Sequence, residues 1–265
     1  MSYQVMSLEE AIAKVPAINA EAPAECVSKR YSFLPSKRII QDMSQLGWGL
    51  VNVKGIKSGT KNKYRKEHGK HFLMFENPAV RINNDKGVEA NVQIIFKNDS
   101  MGTTRLRINV GLMRLVCENG LVIAEKSLGN YALRHMKYEY KHLQELVTNI
   151  VNDLPKAVAK VQTFSDTILT PEQMSSFANE ALKLRANEER VATPEEIADI
   201  LKPRREADKG NSLWLVFNRV QESIIRGGTT YIDAKGKLRK MKPINNIMVA
   251  PKINEELWSL AEQYC

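Results

Sequence analysis

The hydrophobic pattern of this chain changes character once, and that change limits the folds it can adopt. From residue 48 to residue 125 the apolar residues alternate with polar ones or are β-branched, which is typical of strands. From residue 136 onward apolar residues recur every three or four positions, which is typical of amphipathic helices. A β-rich half followed by a helical half predicts an α+β fold.

Four to five strands are predicted in the first half of the chain. The strand pattern occurs in segments 48–56, 71–75, 88–97, 103–117 and 121–125. The residues between them favour turns, above all Asn119-Gly120, which we interpret as a two-residue hairpin. We therefore expect an antiparallel β-meander.

The predicted helices begin at recognisable capping residues. Three pairs have the spacing of capping boxes: Ser7 with Glu10, Thr170 with Gln173, and Thr193 with Glu196. Ser36 is interpreted as the N-cap of a helix over 37–46, and Asn211 or Ser212 as the N-cap of a helix over 213–226. A long helix over 136–154 carries one apolar stripe, which we expect to pack on the meander.

These elements predict one α+β domain over residues 1–265. It would be mainly β over 30–130 and mainly helical over 131–228. Residues 229–265 would form a small basic β-hairpin and a terminal helix that begins at Asn254. A chain of this length can bury a core without disulfide bonds.

The net charge of +9 is concentrated in one segment. Residues 29–72 contain eleven Lys or Arg and only two acidic residues, so the rest of the chain balances to zero. Within this segment we predict a long, mobile hairpin tip over 57–70. A concentrated basic segment indicates a polyanionic partner.

The candidate nucleic-acid-binding residues combine cations with flat rings that can stack on bases. In the basic segment they are Lys54, Lys57, Lys61, Lys63, Tyr64, Arg65, Lys66, His68 and Lys70. Strand alternation places Arg105 and Arg107 on the face opposite Leu106 and Ile108. The small hairpin adds Lys235, Lys237, Arg239 and Lys240.

We predict no catalytic residue, no metal site and no cofactor. His68 and His71 lack a third ligand at a recognisable spacing, and Cys117 ends an apolar strand, where a core role is expected. The chain contains no G-x-x-x-x-G-K-[ST] phosphate loop, so an ATP-driven motor is not indicated. Three cysteines without a C-x-x-C pair, no membrane-length apolar run and no secretory signal favour a cytoplasmic protein.

Three segments together resemble a known family. They are residues 107–122, including Arg-Leu-Val-Cys-Glu-Asn-Gly-Leu over 114–121, then Arg134-His135-Met136, and finally residues 213–228. They are similar to the phage/plasmid-like family of unknown function that bacteriophages and other mobile elements carry. The resemblance implies a phage setting inside a host cell and supplies no catalytic residues. The matching positions are Arg114, Cys117, Asn119, Gly120, Arg134, His135, Asn218 and Glu222.

We interpret these matching positions as fold-defining, with Arg134 expected to pair with Glu222. The leading hypothesis for function is an ATP-independent nucleic-acid-binding protein that binds or anneals single-stranded DNA in replication or recombination, with oligomers along the strand. The expected architecture is similar to that of single-strand annealing recombinases of the RecT and Erf type. Two alternatives remain open: an inhibitor that binds a host defence or replication protein, and a metal-dependent nuclease.

Overall fold

The computed structural model confirms the α+β class. It describes residues 4–28, 31–55, 63–83, 89–102, 106–114, 120–122, 131–133, 138–186, 192–232, 237–244 and 249–265. The chain divides into two compact units, which we call the N-terminal unit (1–122 with 126–154) and the C-terminal unit (123–125 with 155–265). The single domain expected from the sequence stays a prediction.

The N-terminal unit begins with short helices. They are α1 (Leu8–Lys14), a 3-10 turn (Pro16–Asn19), α2 (Ser36–Gln45) and α3 (Lys63–His68). The capping box at α1 is confirmed, since the Ser7 hydroxyl accepts from the Glu10 amide and the Glu10 carboxylate accepts from the Ser7 amide. Tyr138 is bonded to α2, because its hydroxyl donates to the Asp42 carboxylate over 2.8 Å.

The sheet of this unit is an antiparallel meander, as predicted. Its strands are β1 (Gly49–Gly55), β2 (His71–Asn83), β3 (Glu89–Asn98), β4 (Leu106–Arg114), β5 (Gly120–Val122) and β6 (Tyr131–Leu133). They pair in the order β1-β2-β3-β4-β5, and β6 also pairs with β4. One face carries the core, with Leu73, Phe75, Ile94, Phe96 and Ile108 completely buried.

The long helix α4 (Tyr140–Asp166) begins at Tyr140 rather than at residue 136, and it continues past Pro155. Its residues to Leu154 belong to the N-terminal unit, and those from Pro155 belong to the C-terminal unit. Its apolar stripe is buried through both parts, from Leu143 to Phe164, which explains why the helix continues past the proline. Packing of this stripe on the meander stays a prediction.

The C-terminal unit is mainly helical. Its elements are α5 (Pro171–Ala186), α6 (Pro194–Leu201), α7 (Leu213–Arg226), β7 (Thr230–Ile232), β8 (Leu238–Lys240) and α8 (Val249–Ala261), with 3-10 turns at Glu206–Asp208 and Glu262–Tyr264. The capping boxes of α5 and α6 are confirmed, as is Ser212 as the N-cap of α7. Aromatic rings pack in the core of this unit, where the ring centroids of Phe164 and Trp258 are 4.9 Å apart.

Four local predictions were wrong. Ser36 is the first residue of α2 rather than its N-cap, which is Pro35. Residues 63–68 of the expected hairpin tip form α3, because its lysines, arginine and glutamate are good helix formers and the helix packs against the 3-10 turn. Gly120 pairs with Met113 as the first residue of β5, so Gly120 is a strand residue and not a turn residue.

The fourth concerns the terminal helix, which begins at Val249 instead of Asn254. Pro251 does not end it, because the first turn of a helix has amides without intrahelical acceptors. None of the helices within the described ranges combines the length and apolar character that crossing a bilayer requires.

Candidate nucleic-acid interface

The structure places the predicted binding residues in both units. In the N-terminal unit Lys54 and Lys66 are exposed, and His68 and Lys70 are partly exposed. Lys237, Arg239 and Lys240 are exposed in the C-terminal unit. The backbone alone is described for four others, namely Lys63, Tyr64 and Arg65 on α3 and Arg107 on β4. Lys57, Lys61, Arg105 and Lys235 lie outside the described residues.

Three cations of the basic segment lie at the same end of the β1–β2 pair. Lys54 is opposite Phe72, and Gly55 is opposite His71, which Lys70 directly precedes. Lys66 belongs to α3, which ends two residues before Lys70. We call Lys54, Lys66 and Lys70 the basic corner.

A buried polar network holds the backbone at the basic corner. The Nδ1 atom of His71 lies 2.9 Å from the Gly69 carbonyl oxygen, which only accepts hydrogen bonds, so Nδ1 carries the proton. Nε2 is therefore free to accept from the Ser36 hydroxyl, 2.7 Å away. The Asn98 amide in turn donates to the Ser36 oxygen over 3.0 Å and to the Leu34 carbonyl over 3.1 Å.

Hydrogen bonds also hold residues 68–71 at His68, the first of these residues. The Ser100 amide donates to the His68 carbonyl over 3.0 Å, and the Ser100 carbonyl accepts from Ala24. The Tyr31 hydroxyl donates to the Asp99 carbonyl over 2.8 Å. Burial, together with the Asp99 charge, raises the pKa of Tyr31 to about 12. Hydrogen bonds to α2, to β3 and to the residues after β3 thus fix residues 68–71.

The Ser36–His71 pair has the atoms of a nucleophile and its base, but no substrate can reach it. Ser36 is 3% exposed and His71 is completely buried. Burial lowers the pKa of His71, which keeps the ring neutral, and the weaker influences of the Gly69 carbonyl and Asp99 act in the opposite direction. We therefore assign the network a positioning role. Within the part of the chain that the structure describes, no group of three or more His, Cys, Asp or Glu is placed to hold a metal ion.

The sheet register places two further residues, Phe72 and Lys97, in line with the predicted binding residues Lys54 and Arg107. Lys54, Phe72, Lys97 and Arg107 are successive partners across β1, β2, β3 and β4, so they form one row on one face. Phe72 and Lys97 could not be selected from the sequence, because spacing along the chain does not reveal which residues of different strands pair. Both are buried, at 7% and 8% exposure, so the middle of the row is covered and its Lys54 end is exposed.

The matching family positions on α7 make internal contacts. The Asn218 amide donates to the Trp214 carbonyl over 2.6 Å, within the same helix. Glu222, which the sequence led us to pair with Arg134, accepts two hydrogen bonds from Arg205 at 2.6 and 2.9 Å. Arg134, together with His135, Cys117 and Asn119, lies outside the described residues.

The described residues define an α+β protein in which a buried polar network around His71 holds the residues after α3, next to the basic corner. The chain belongs to the family described as a domain of unknown function (DUF932), whose model matches residues 23–254. Membership in a family of unknown function, as the resemblance implied, is confirmed.

Two curated proteins of Escherichia coli (strain K12) are similar over nearly the whole chain. They are UPF0380 protein YafZ and UPF0380 protein YfjQ, each 28% identical over 257 residues, or 97% of this chain and 90% of the relative. No solved structure matches the chain.

Proposed function

We propose that this protein binds nucleic acid without using ATP, with single-stranded DNA as its preferred partner, in the replication or recombination of a phage or another mobile element. The observation that carries the proposal is the concentration of the whole net charge of +9 in residues 29–72. Such a segment favours phosphate backbones, because each phosphate contact releases condensed counterions.

The basic segment supplies the two kinds of group that bind a single strand. Lys61, Lys63, Arg65 and Lys66 carry the charges that neutralise phosphates. Tyr64 lies among them in the sequence and has a ring on which a base can stack. The buried network around His71 supports this role, since it holds the residues that follow α3 in one position.

The test is fluorescence anisotropy of labelled single-stranded and duplex oligonucleotides over a series of salt concentrations. We expect the single strand to bind more tightly, with an affinity that falls steeply as salt rises. In the K61A/K63A/R65A/K66A variant we expect the slope of log affinity against log salt to shrink by about three, at roughly 0.7 per lost phosphate contact.

A matched control removes four exposed lysines from outside the basic segment. The K14A/K141A/K209A/K252A variant changes the net charge by the same amount, and all four side chains are exposed. It should keep nearly all of the affinity. Equal losses in the two variants would mean that net charge alone drives binding, and the assignment to the basic segment would fall.

The alternatives are separate outcomes of the same series. Absence of binding even at low salt would overturn the proposal and turn attention to a host-protein partner. Cleavage of the labelled strand with magnesium or manganese would instead indicate the nuclease. Preference for duplex DNA would overturn the assignment to a single strand.

A further inference from the structure

A second group of cations surrounds the base of the β7–β8 hairpin in the C-terminal unit. Residues 202–242 contain eleven Lys or Arg and four acidic residues, which gives this segment a net charge of +7. Acidic residues elsewhere offset this charge, so it does not appear in the zero net charge of the chain outside residues 29–72. The hairpin begins directly at the end of α7, because the Gly228 amide donates to the Met241 carbonyl and the Met241 amide donates to the Thr229 carbonyl, each over 2.8 Å.

Glu222, on the last turns of α7, organises the arginines at this base. Glu222 is 3% exposed, and its carboxylate accepts from both terminal nitrogens of Arg205, at 2.6 and 2.9 Å. Arg226 lies 3.5 Å and Arg204 4.0 Å from the same carboxylate. A bidentate pair uses both carboxylate oxygens, so Glu222 is chiefly the partner of Arg205.

Several arginines lie around two buried carboxylates in this cluster. Asp208, also buried, lies 3.3 Å from Arg205, so two carboxylates face three guanidinium groups, and a fourth, Arg219, is near Asp208. Arg204 and Arg226 are the outer members, with side chains 37% and 44% exposed. Arg204 also donates to the Gly227 carbonyl over 3.1 Å, which places its guanidinium beside the hairpin base.

The exposed cations continue along the hairpin. Lys237, Arg239 and Lys240 are exposed on or next to β8, and Lys242 is exposed just beyond it. The backbone of Lys242 is held from another helix, since its carbonyl accepts from Arg185. Leu238, in the middle of these cations, is 73% exposed and offers an apolar contact. We call Arg204, Arg226, Lys237, Arg239, Lys240 and Lys242 the hairpin surface.

We infer that the hairpin surface is a second phosphate-binding surface, and that the protein contacts single-stranded nucleic acid through both of its units. Arg204 and Arg226 have one side directed to Glu222 and are partly open to solvent, and the fork of a guanidinium matches the oxygens of a phosphate. The hairpin cations supply further phosphate contacts, and Leu238 supplies an apolar contact to a sugar or base. This inference rests on the proposed function, and it adds Arg204, Arg226 and Leu238 to the predicted residues.

The experiment compares three variants of the full-length chain with the wild type on labelled oligothymidylate. They are K237Q/R239Q/K240Q, R204Q/R226Q and the basic-segment variant K61A/K63A/R65A/K66A. The hairpin variant changes exposed side chains only, so its fold should be preserved, and thermal unfolding verifies this for each protein. R204K/R226K is the matched control, because it keeps both charges and loses the guanidinium forks.

We expect the salt slope to shrink by about two for the hairpin variant and by somewhat more than one for R204Q/R226Q, at roughly 0.7 per contact. R204K/R226K should keep the slope and lose affinity modestly. If the basic-segment variant loses binding and both C-terminal variants match the wild type, this inference falls and the proposed function stands. If only the C-terminal variants lose binding, the assignment to the basic segment falls and the hairpin surface stands.

Two further outcomes overturn the inference. A wild-type protein that fails to bind oligothymidylate at low salt removes both proposals together. Competition by polyglutamate as effective as competition by unlabelled oligothymidylate would show that the hairpin surface recognises acidic chains in general, and it would favour an acidic protein as partner.

Discussion

The Ser36 hydroxyl lies 2.7 Å from Nε2 of His71, although the two residues are 35 positions apart in the chain. The bond joins the first residue of α2 to the first residue of β2, and Asn98 at the end of β3 donates to the same hydroxyl. These two hydrogen bonds join α2, β2 and β3 next to the residues that follow α3. The stability of this junction determines how firmly the basic corner is held.

Replacement of Ser36 by alanine should destabilise the protein by about 1–3 kcal/mol, because it leaves buried polar groups of His71 and Asn98 without their partner. The measurement is the free energy of unfolding in urea. S44A is the matched control, since Ser44 is exposed on the same helix. Alanine is the better helix former at both positions, so the difference between the variants isolates the buried bonds. Equal stabilities of S36A and S44A would contradict the prediction.

The burial of His71 predicts a loss of stability in acid. Its pKa is lowered in the folded state, so below the ordinary value of 6.5 the unfolded chain binds a proton that the folded chain does not. The contribution is fully present above pH 6.5 and is lost progressively as the pH falls toward the folded pKa. One such group reduces the free energy of unfolding by at most about 1.4 kcal/mol per pH unit.

Urea unfolding between pH 7.5 and 5 measures this effect for the wild type, H71Q and H142Q. H71Q should lose the part of the pH dependence that His71 contributes, whereas H142Q should retain it, because His142 is exposed on α4. Parallel pH profiles for H71Q and the wild type would show that the buried ring does not titrate differently in the folded and unfolded states.

Helix starts and strands could be predicted because their signals are local. A capping box joins residues three positions apart, and each pair with this spacing forms one, at Ser7, Thr170 and Thr193. Strand alternation likewise placed Leu106 and Ile108 in the core, where both are completely buried. Helix α3 was missed because its residues are polar or aromatic and lack the apolar periodicity that marks a longer helix.

The contacts that support the candidate sites could not be predicted, because they join distant residues. Ser36 has the local pattern of an N-cap, and nothing near it in the sequence indicates a histidine 35 residues away. Glu222 pairs with Arg205, 17 positions earlier in the chain. Several arginines compete for that partnership, and only the fold determines which one lies within reach.

Loss of the Glu222 carboxylate should be costly. Removing one partner of a buried ion pair typically destabilises a protein by about 3–5 kcal/mol. Asp208 remains near Arg205, so we expect E222A to lie near the lower end of that range. The control is E206A, which removes an ion pair of similar length, with 2.7 Å between Glu206 and Lys209. This pair lies on the surface, since the Glu206 side chain is 85% exposed and the Lys209 side chain is 60% exposed. Urea unfolding should show almost no change for E206A, and a similarly small change for E222A would contradict the role of the cluster.

The turn between α7 and the hairpin requires glycine at residue 227. Its φ is +68°, and a Cβ there would collide with the carbonyl oxygen of Met241 and lie 2.8 Å from the carbonyl carbon of Lys242. Gly228 also has a positive φ, of +101°, but the nearest atom to a Cβ is an Arg204 nitrogen 3.7 Å away. Alanine at residue 228 therefore tests the backbone conformation alone, whereas alanine at residue 227 tests the backbone conformation and the collision together.

We expect G228A to lower the free energy of unfolding by about 1–2 kcal/mol, because alanine disfavours this backbone conformation. G227A should lower it by about 1–3 kcal/mol more than G228A does, because the hairpin must also move away from α7. Trypsin cleavage after Lys237, Arg239 and Lys240, followed by mass spectrometry, reports this movement, since these residues are on or next to β8. Cleavage should be faster in G227A than in G228A or the wild type. Equal cleavage rates and equal stabilities for the two variants would show that the close approach of Met241 to Gly227 does not hold the hairpin in place.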